Sequence, residues 1–217
     1  MIFENRIDAA RRLAAALAQY RGARPLVLAI PRGAIEMGRV LADALDGELD
    51  VVLVTKLRAP FSPEFAVGAV DESGWTYVAD YAARVGADPA YLEAERRRQL
   101  EILQARRHKY TPARQPIDPA GRTVIVVDDG LATGATMIAA LHAVRAKKPA
   151  WLVCAVPVAA RDSLDKVGRY ADEVVCLHAP EDFGAVSAFY LDFPQVDDDT
   201  VAALLAGRKP ARVVVEK

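Results

Sequence analysis

Apolar positions along this chain switch repeatedly between the period of a helix and that of a buried strand, and the alternation predicts an α/β architecture. Phe3, Ile7, Ala10, Leu13, Ala14 and Leu17 recur every three or four residues, which predicts an amphipathic helix over roughly 3–20. Short apolar runs at Pro25–Ile30, Leu49–Thr55, Arg122–Val127, Ala150–Val156 and Glu173–Leu177 predict buried strands. Helical spacing over Ile35–Leu45, near 135–147 and near 161–168 falls between them. The order predicts a mostly parallel, doubly wound sheet with helices on both faces.

The middle of the chain breaks this rhythm. Phe65–Val70 and Trp75–Val78 flank Asp71-Glu72-Ser73-Gly74, the pattern of a β-hairpin with a four-residue turn. Asp88-Pro89 supplies an N-cap and a first-turn proline for a helix running to about Tyr110, and the three prolines of Thr111–Pro119 predict a connecting loop. That helix carries Arg96, Arg97, Arg98, Arg106, Arg107 and Lys109 interleaved with Glu93, Glu95 and Glu101, so a solvated, self-paired face is expected. Beyond Ala179 the periodicity weakens around Phe183, Phe189, Tyr190 and Phe193. A final helix near 198–206 follows Asp197, Asp198 and Asp199, acids that suit its N-terminal dipole.

With 217 residues, 53% hydrophobic and 26% charged, the composition fits one globular domain with a sizeable core. A net charge of −1 gives no electrostatic case for nucleic-acid or membrane binding. No apolar stretch reaches bilayer length and Met1–Asn5 does not open a signal peptide, so a cytoplasmic location is expected. Cys154 and Cys176 lie in apolar segments, as buried thiols of a reducing compartment do. His108, His142 and His178 are scattered and form no nucleophile–base pattern.

The most informative chemistry lies in Val124–Thr136, VIVVDDGLATGAT. Gly130 and Gly134 allow sharp turns with exposed amides, Thr133 and Thr136 add hydroxyl donors, and a helix follows. A phosphate there would meet unpaired N–H groups and the positive end of a helix dipole. Asp128 and Asp129 would repel a bare phosphate, but they fit a diol or a magnesium ion on the same ligand. A sugar phosphate meets both demands.

This stretch resembles the 5-phosphoribosyl-1-pyrophosphate (PRPP) binding motif of type I phosphoribosyltransferases: apolar strand, acid pair, Gly/Thr-rich loop. No Lys follows the second glycine, so it is not a Walker loop. The resemblance covers roughly residues 24–180 and implies the type I phosphoribosyltransferase fold. It further implies one domain over 1–217, with a helical and hairpin insertion at about 57–120. A small hood would come from the N-terminus and about 180–217. Gly130, Leu131, Ala132, Thr133, Gly134, Ala135 and Thr136 would hold the 5-phosphate. Asp128 and Asp129 would bind the ribose hydroxyls directly or through Mg²⁺, with their charge stabilising an oxocarbenium-like ring.

Ile30-Pro31-Arg32-Gly33-Ala34 resembles the family's pyrophosphate loop, with Pro31, Gly33 and Ala34 offering backbone, Arg32 a bidentate donor, and Pro31–Arg32 as the candidate cis peptide. Lys56 and Arg58 would lie on a mobile loop after the second strand, closing over pyrophosphate. These segments and the 128–136 loop fall at carboxyl ends of predicted strands, where open parallel sheets bind ligands. Phe183 and Tyr190 are candidates to contact the acceptor base, with Phe189 and Phe193 assigned to the core. The implied activity is Mg²⁺-dependent transfer of phosphoribose from PRPP to a nitrogenous small-molecule acceptor. A non-catalytic PRPP or nucleotide sensor, regulatory or RNA-binding, is the alternative. Membrane and nucleic-acid partners are not expected, and homo-oligomerisation is left open.

Overall fold

The computed structural model describes residues 1–112 and 115–207, so the last ten residues assigned to the hood lie outside the described residues. Along the chain run α1 (Arg6–Ala16), β1 (Leu26–Ala29), α2 (Ile35–Ala44), β2 (Glu48–Val51), β3 (Val54–Ala59), β4 (Ser62–Asp71), β5 (Thr76–Val78) and α3 (Pro89–Tyr110). They are followed by β6 (Thr123–Val127), α4 (Ala135–Arg145), β7 (Trp151–Val158), α5 (Arg161–Val167), β8 (Glu173–His178) and α6 (Asp198–Leu205). The first helix is shorter than its apolar stripe. The Asn5 side chain accepts from the amides of Ile7 and Asp8, both at 3.0 Å, and so begins the helix at Arg6. Phe3 is extended and pairs with Tyr190 instead.

Five parallel strands in the order β2-β1-β6-β7-β8 form the central sheet. Both faces are covered. One apolar cluster joins Leu13 of α1 and Ile35 and Leu41 of α2 to Ile125 and Val153. The other joins Met137, Ile138 and Leu141 of α4 to Val124, Leu152 and Cys154. Two-sided burial explains why β6 and β7 read as unbroken apolar runs rather than alternating ones. Strand order reverses between β1 and β6, which opens a crevice at their carboxyl ends.

One expected strand divides in two. The apolar run Leu49–Thr55 predicts a single strand, but β2 ends at Val51, and β3 belongs to a separate antiparallel sheet ordered β3-β4-β5. The break is visible in the hydrogen bonds. Val52 N donates to Ala29 O of the first sheet at 3.2 Å, and Leu53 O accepts from Glu72 N of the second at 3.2 Å. Val52 and Leu53 are both buried, so their apolarity carries no mark of the break. Lys56 and Arg58 therefore lie on a paired strand, exposed, alternating with buried Leu57 and Ala59, rather than on an irregular loop.

The hairpin β4–β5 forms as the turn residues require, with Asp71 Oδ1 accepting from Ser73 N at 2.8 Å and from Trp75 N at 3.1 Å. Trp75 stacks on His142 of α4, ring centroids 3.5 Å apart. α3 starts at Asp88, whose side chain accepts from Tyr91 N at 2.8 Å. Its charged face pairs with itself, Arg96 and Arg97 reaching Glu93 at 2.9 and 3.3 Å. The opposite face is buried, apolar toward its C-terminal end at Leu103 and Tyr110 but polar before it: Glu95 accepts from Arg58 N at 3.3 Å and Gln99 from Thr55 Oγ1 at 3.3 Å. α3 thus braces β3 by hydrogen bonds where an apolar stripe would be usual. Among the described residues, no helix is long and apolar enough to cross a membrane.

Candidate active site

The loop after β6 forms one wall of a cleft of about 160 Å³ lined by Lys56, Asp128, Asp129, the segment from Gly130 to Met137, and Val186. Its backbone is fastened from outside. Leu131 N donates to Val158 O at 2.9 Å, Ala160 N to Leu131 O at 3.0 Å, and Ser163 Oγ to Ala132 O at 2.6 Å. Gly130 is required by packing, since a Cβ there would lie 2.7 Å from Val186 Cγ1. Gly134 is required by conformation, with φ +79° in the left-handed region. A side chain at 134 would point toward Val167, with Cβ 3.2 Å from Cγ2. The glycine thus serves the turn itself rather than leaving room for a ligand. No side chain caps α4, so its first-turn N–H groups remain available to an anion in the loop.

Asp128 and Asp129 sit at the base of this cleft. Burial pushes the Asp128 carboxyl well above the usual carboxylate range, and the neighbouring charge of Asp129 pushes it further. Burial also raises Asp129, while the guanidinium of Arg6 opposes that rise. Arg6 Nε lies 3.0 Å from Asp129 Oδ2. The backbone of Asp129 is held as well: its amide donates to Asp128 Oδ1 at 2.9 Å and its carbonyl accepts from Tyr190 Oη at 2.7 Å. The two carboxylates are hard oxygen donors, but among the described residues no three His, Cys, Asp or Glu gather into a closed cage. That donor set fits a cation such as Mg²⁺, which keeps waters and takes its remaining oxygens from a bound ligand.

The loop after β1 comes to the same place. The Pro31–Arg32 peptide is cis. Gly33 touches the acid pair, because a Cβ on it would lie 2.3 Å from Asp129 Oδ2. Ala34 is buried and Arg32 exposed, and neither is among the residues that line the cleft. Lys56 reaches the cleft from β3.

Arg58, Tyr190 and Phe183, expected to contact ligand, do not line this cleft. Arg58 lines a separate cavity between the β3–β4 turn and α3, together with Phe61, Tyr91 and Arg98. The register of β3 against β4 shifts on either side of Arg58. Tyr190 is buried, packed on Phe3 and Phe193, and its hydroxyl is spent on Asp129 O, so its ring is not presented to a base. Phe183 is half-buried and stacks on Phe189, centroids 5.5 Å apart. Two residues at the site escape sequence reasoning. Arg6 has the look of an ordinary charge at a helix start, and Val186 that of one more apolar residue in an aperiodic stretch.

Comparison with known proteins places this geometry among relatives. A family model for the phosphoribosyl transferase domain matches residues 1–194. The Mycobacterium tuberculosis (strain H37Rv) protein named "Putative phosphoribosyl transferase Rv0571c" is 42% identical over 205 residues, 94% of this chain and 46% of that protein. The chain therefore spans about half the length of the curated relatives it matches. The crystal structure of TT1426 from Thermus thermophilus is 45% identical with a TM-score of 0.80, covering 97% of this chain and 100% of that one.

Proposed function

The chain belongs to the phosphoribosyl transferase domain family, and from that premise we propose that it transfers 5-phosphoribose from PRPP to a nitrogenous acceptor with release of pyrophosphate. One observation carries the reading: a single cleft lined by the acid pair, the 130–136 loop and Lys56. The loop amides, the Thr133 and Thr136 hydroxyls and the open end of α4 receive the 5-phosphate. Asp128 and Asp129 accept hydrogen bonds from the ribose hydroxyls, and Asp129, whose charge the Arg6 guanidinium favours, holds negative charge beside the ring as its anomeric carbon becomes cationic. Lys56 and Arg32 bind the departing pyrophosphate, Arg32 in two-pronged fashion. Because β3 is braced by α3, Lys56 works from a fixed strand, and Arg58 serves no direct role in this cleft.

Mg²⁺ fits the oxygen donors offered by Asp128 and Asp129, and when bound it supplies charge neutralisation for the leaving group. No covalent nucleophile is required. We place the reaction in the cytoplasm, a reading supported by two free thiols, Cys154 being fully buried. The acceptor is a small molecule rather than a nucleic acid.

A pyrophosphate-release assay with PRPP, Mg²⁺ and a panel of nucleobases and simple amines tests this function. Turnover with at least one acceptor, abolished by EDTA and restored by Mg²⁺, is the expected result. PRPP binding without turnover on any acceptor would replace transfer by a sensing role.

A further inference from the structure

We propose that Arg6 is a positioning residue for the transfer reaction, holding Asp129 and the strap formed by residues 189–194 in one arrangement. The kinetic part of this inference rests on the phosphoribosyl-transfer reading above. The geometry stands by itself. Arg6 is 6% exposed, and its guanidinium is engaged through Nε, Nη1 and one face. Nε binds Asp129 Oδ2 at 3.0 Å, and Nη1 donates to Pro194 O at 2.6 Å. The face lies 3.7 Å from the centre of the Phe193 ring. Nη2 abuts the loop after β1, where a Cβ on Gly33 would approach it to 3.2 Å.

The location argues against a purely local purpose. Arg6 is the first residue of α1, where the helix dipole disfavours a cation. The side chain instead joins four segments distant in sequence: the first helix, the β1 loop, the β6 loop and the strap. The strap is tied to the acid a second time through Tyr190 Oη and Asp129 O, and to the N-terminus through Leu191 N and Phe3 O at 2.9 Å. The contact at Oδ2 fixes the orientation in which the Asp129 carboxyl is presented. A flexible point charge such as lysine cannot serve acid, carbonyl and ring together as a planar fork does.

The test compares Arg6→Met and Arg6→Lys with Arg12→Gln, a change on the same helix to a partly exposed arginine paired at 2.9 Å with Asp8. In pyrophosphate release, Arg6→Met should lower kcat by about 10- to 100-fold, with a smaller change in KM for PRPP. Arg6→Lys should recover part of that loss, and Arg12→Gln should match wild type. Two measurements need no turnover: the Asp129 carboxylate position in a crystal structure of the variant, and hydrogen exchange at the Leu191 amide. Displacement of the carboxylate and faster exchange are expected. Wild-type kcat per folded molecule, with Asp129 unmoved and Leu191 equally protected, would overturn the inference. If wild type releases no pyrophosphate with any acceptor, the transfer reading falls, while carboxylate position and exchange still decide the role of Arg6. Should Arg6→Met fail to fold, Arg6→Lys carries the same comparisons.

Discussion

Replacing Gly33 by alanine is the smallest change that should disturb both halves of the site at once. The added methyl carbon would lie 2.3 Å from Asp129 Oδ2 and 3.2 Å from Arg6 Nη2. That is roughly 1 Å short of ordinary van der Waals contact, so the acid or the β1 loop must move by about that distance. A shift of about 1 Å in a reacting group costs on the order of 10²-fold in rate, equivalent to about 2.7 kcal/mol of transition-state stabilisation. Overpacking should also lower folding stability by about 1–3 kcal/mol. Steady-state pyrophosphate release gives the first quantity and urea unfolding the second. Gly184→Ala is the matched control, because a Cβ there meets nothing within 4 Å. If Gly33→Ala keeps wild-type kcat/KM while Gly184→Ala does too, contact between the β1 loop and Asp129 has no part in the reaction.

Other changes probe separate parts of the argument. Asp129→Asn should reduce kcat by about 10²- to 10³-fold, because the amide keeps the size of the carboxyl and removes its charge, and should also lower the thermal midpoint by leaving the buried Arg6 without its counter-charge. An unchanged kcat would take Asp129 out of the chemistry. Gly134→Val should destabilise the fold by about 1–3 kcal/mol, because valine is forced to φ +79°, and calorimetry should find PRPP affinity lost. Retained affinity would show that the turn does not form the phosphate site. Glu95→Ala should cost about 1–3 kcal/mol in urea unfolding by leaving Arg58 N and Gln99 without their acceptor. A smaller loss would mean that β3 holds its place without α3.

The central sheet and its helices are legible because burial on both faces leaves long apolar runs separated by turn chemistry. The phosphate loop is legible because glycines, threonines and adjacent acids occur within one short segment. The division of Leu49–Thr55 is not, since Val52 and Leu53 are buried whichever sheet claims them and only the hydrogen bonds distinguish the two. Arg6 is hidden for a related reason. Its partners, Gly33, Asp129, Phe193 and Pro194, are scattered over much of the chain, and no local period records a contact across such distances. Glu95 pairs with Arg98 along α3 as a self-paired face requires but is not solvated, because a buried carboxylate that accepts from a strand amide has the same sequence signature as a surface charge. Tyr190 does lie beside the site, as its aromatic segment suggests, but its hydroxyl serves the acid's backbone rather than an acceptor.

The stacking of Trp75 on His142 gives this molecule a built-in optical signal. An indole lying flat on an imidazole at 3.5 Å is well placed to have its emission quenched, and His142 belongs to the helix that begins at the phosphate loop. Separation of the hairpin from α4 during ligand binding would brighten that indole. The other indole, Trp151, opens β7 at the opposite end of the sheet and donates to Tyr20 Oη at 3.0 Å. It supplies a steady background, so a fluorescence titration needs no attached dye.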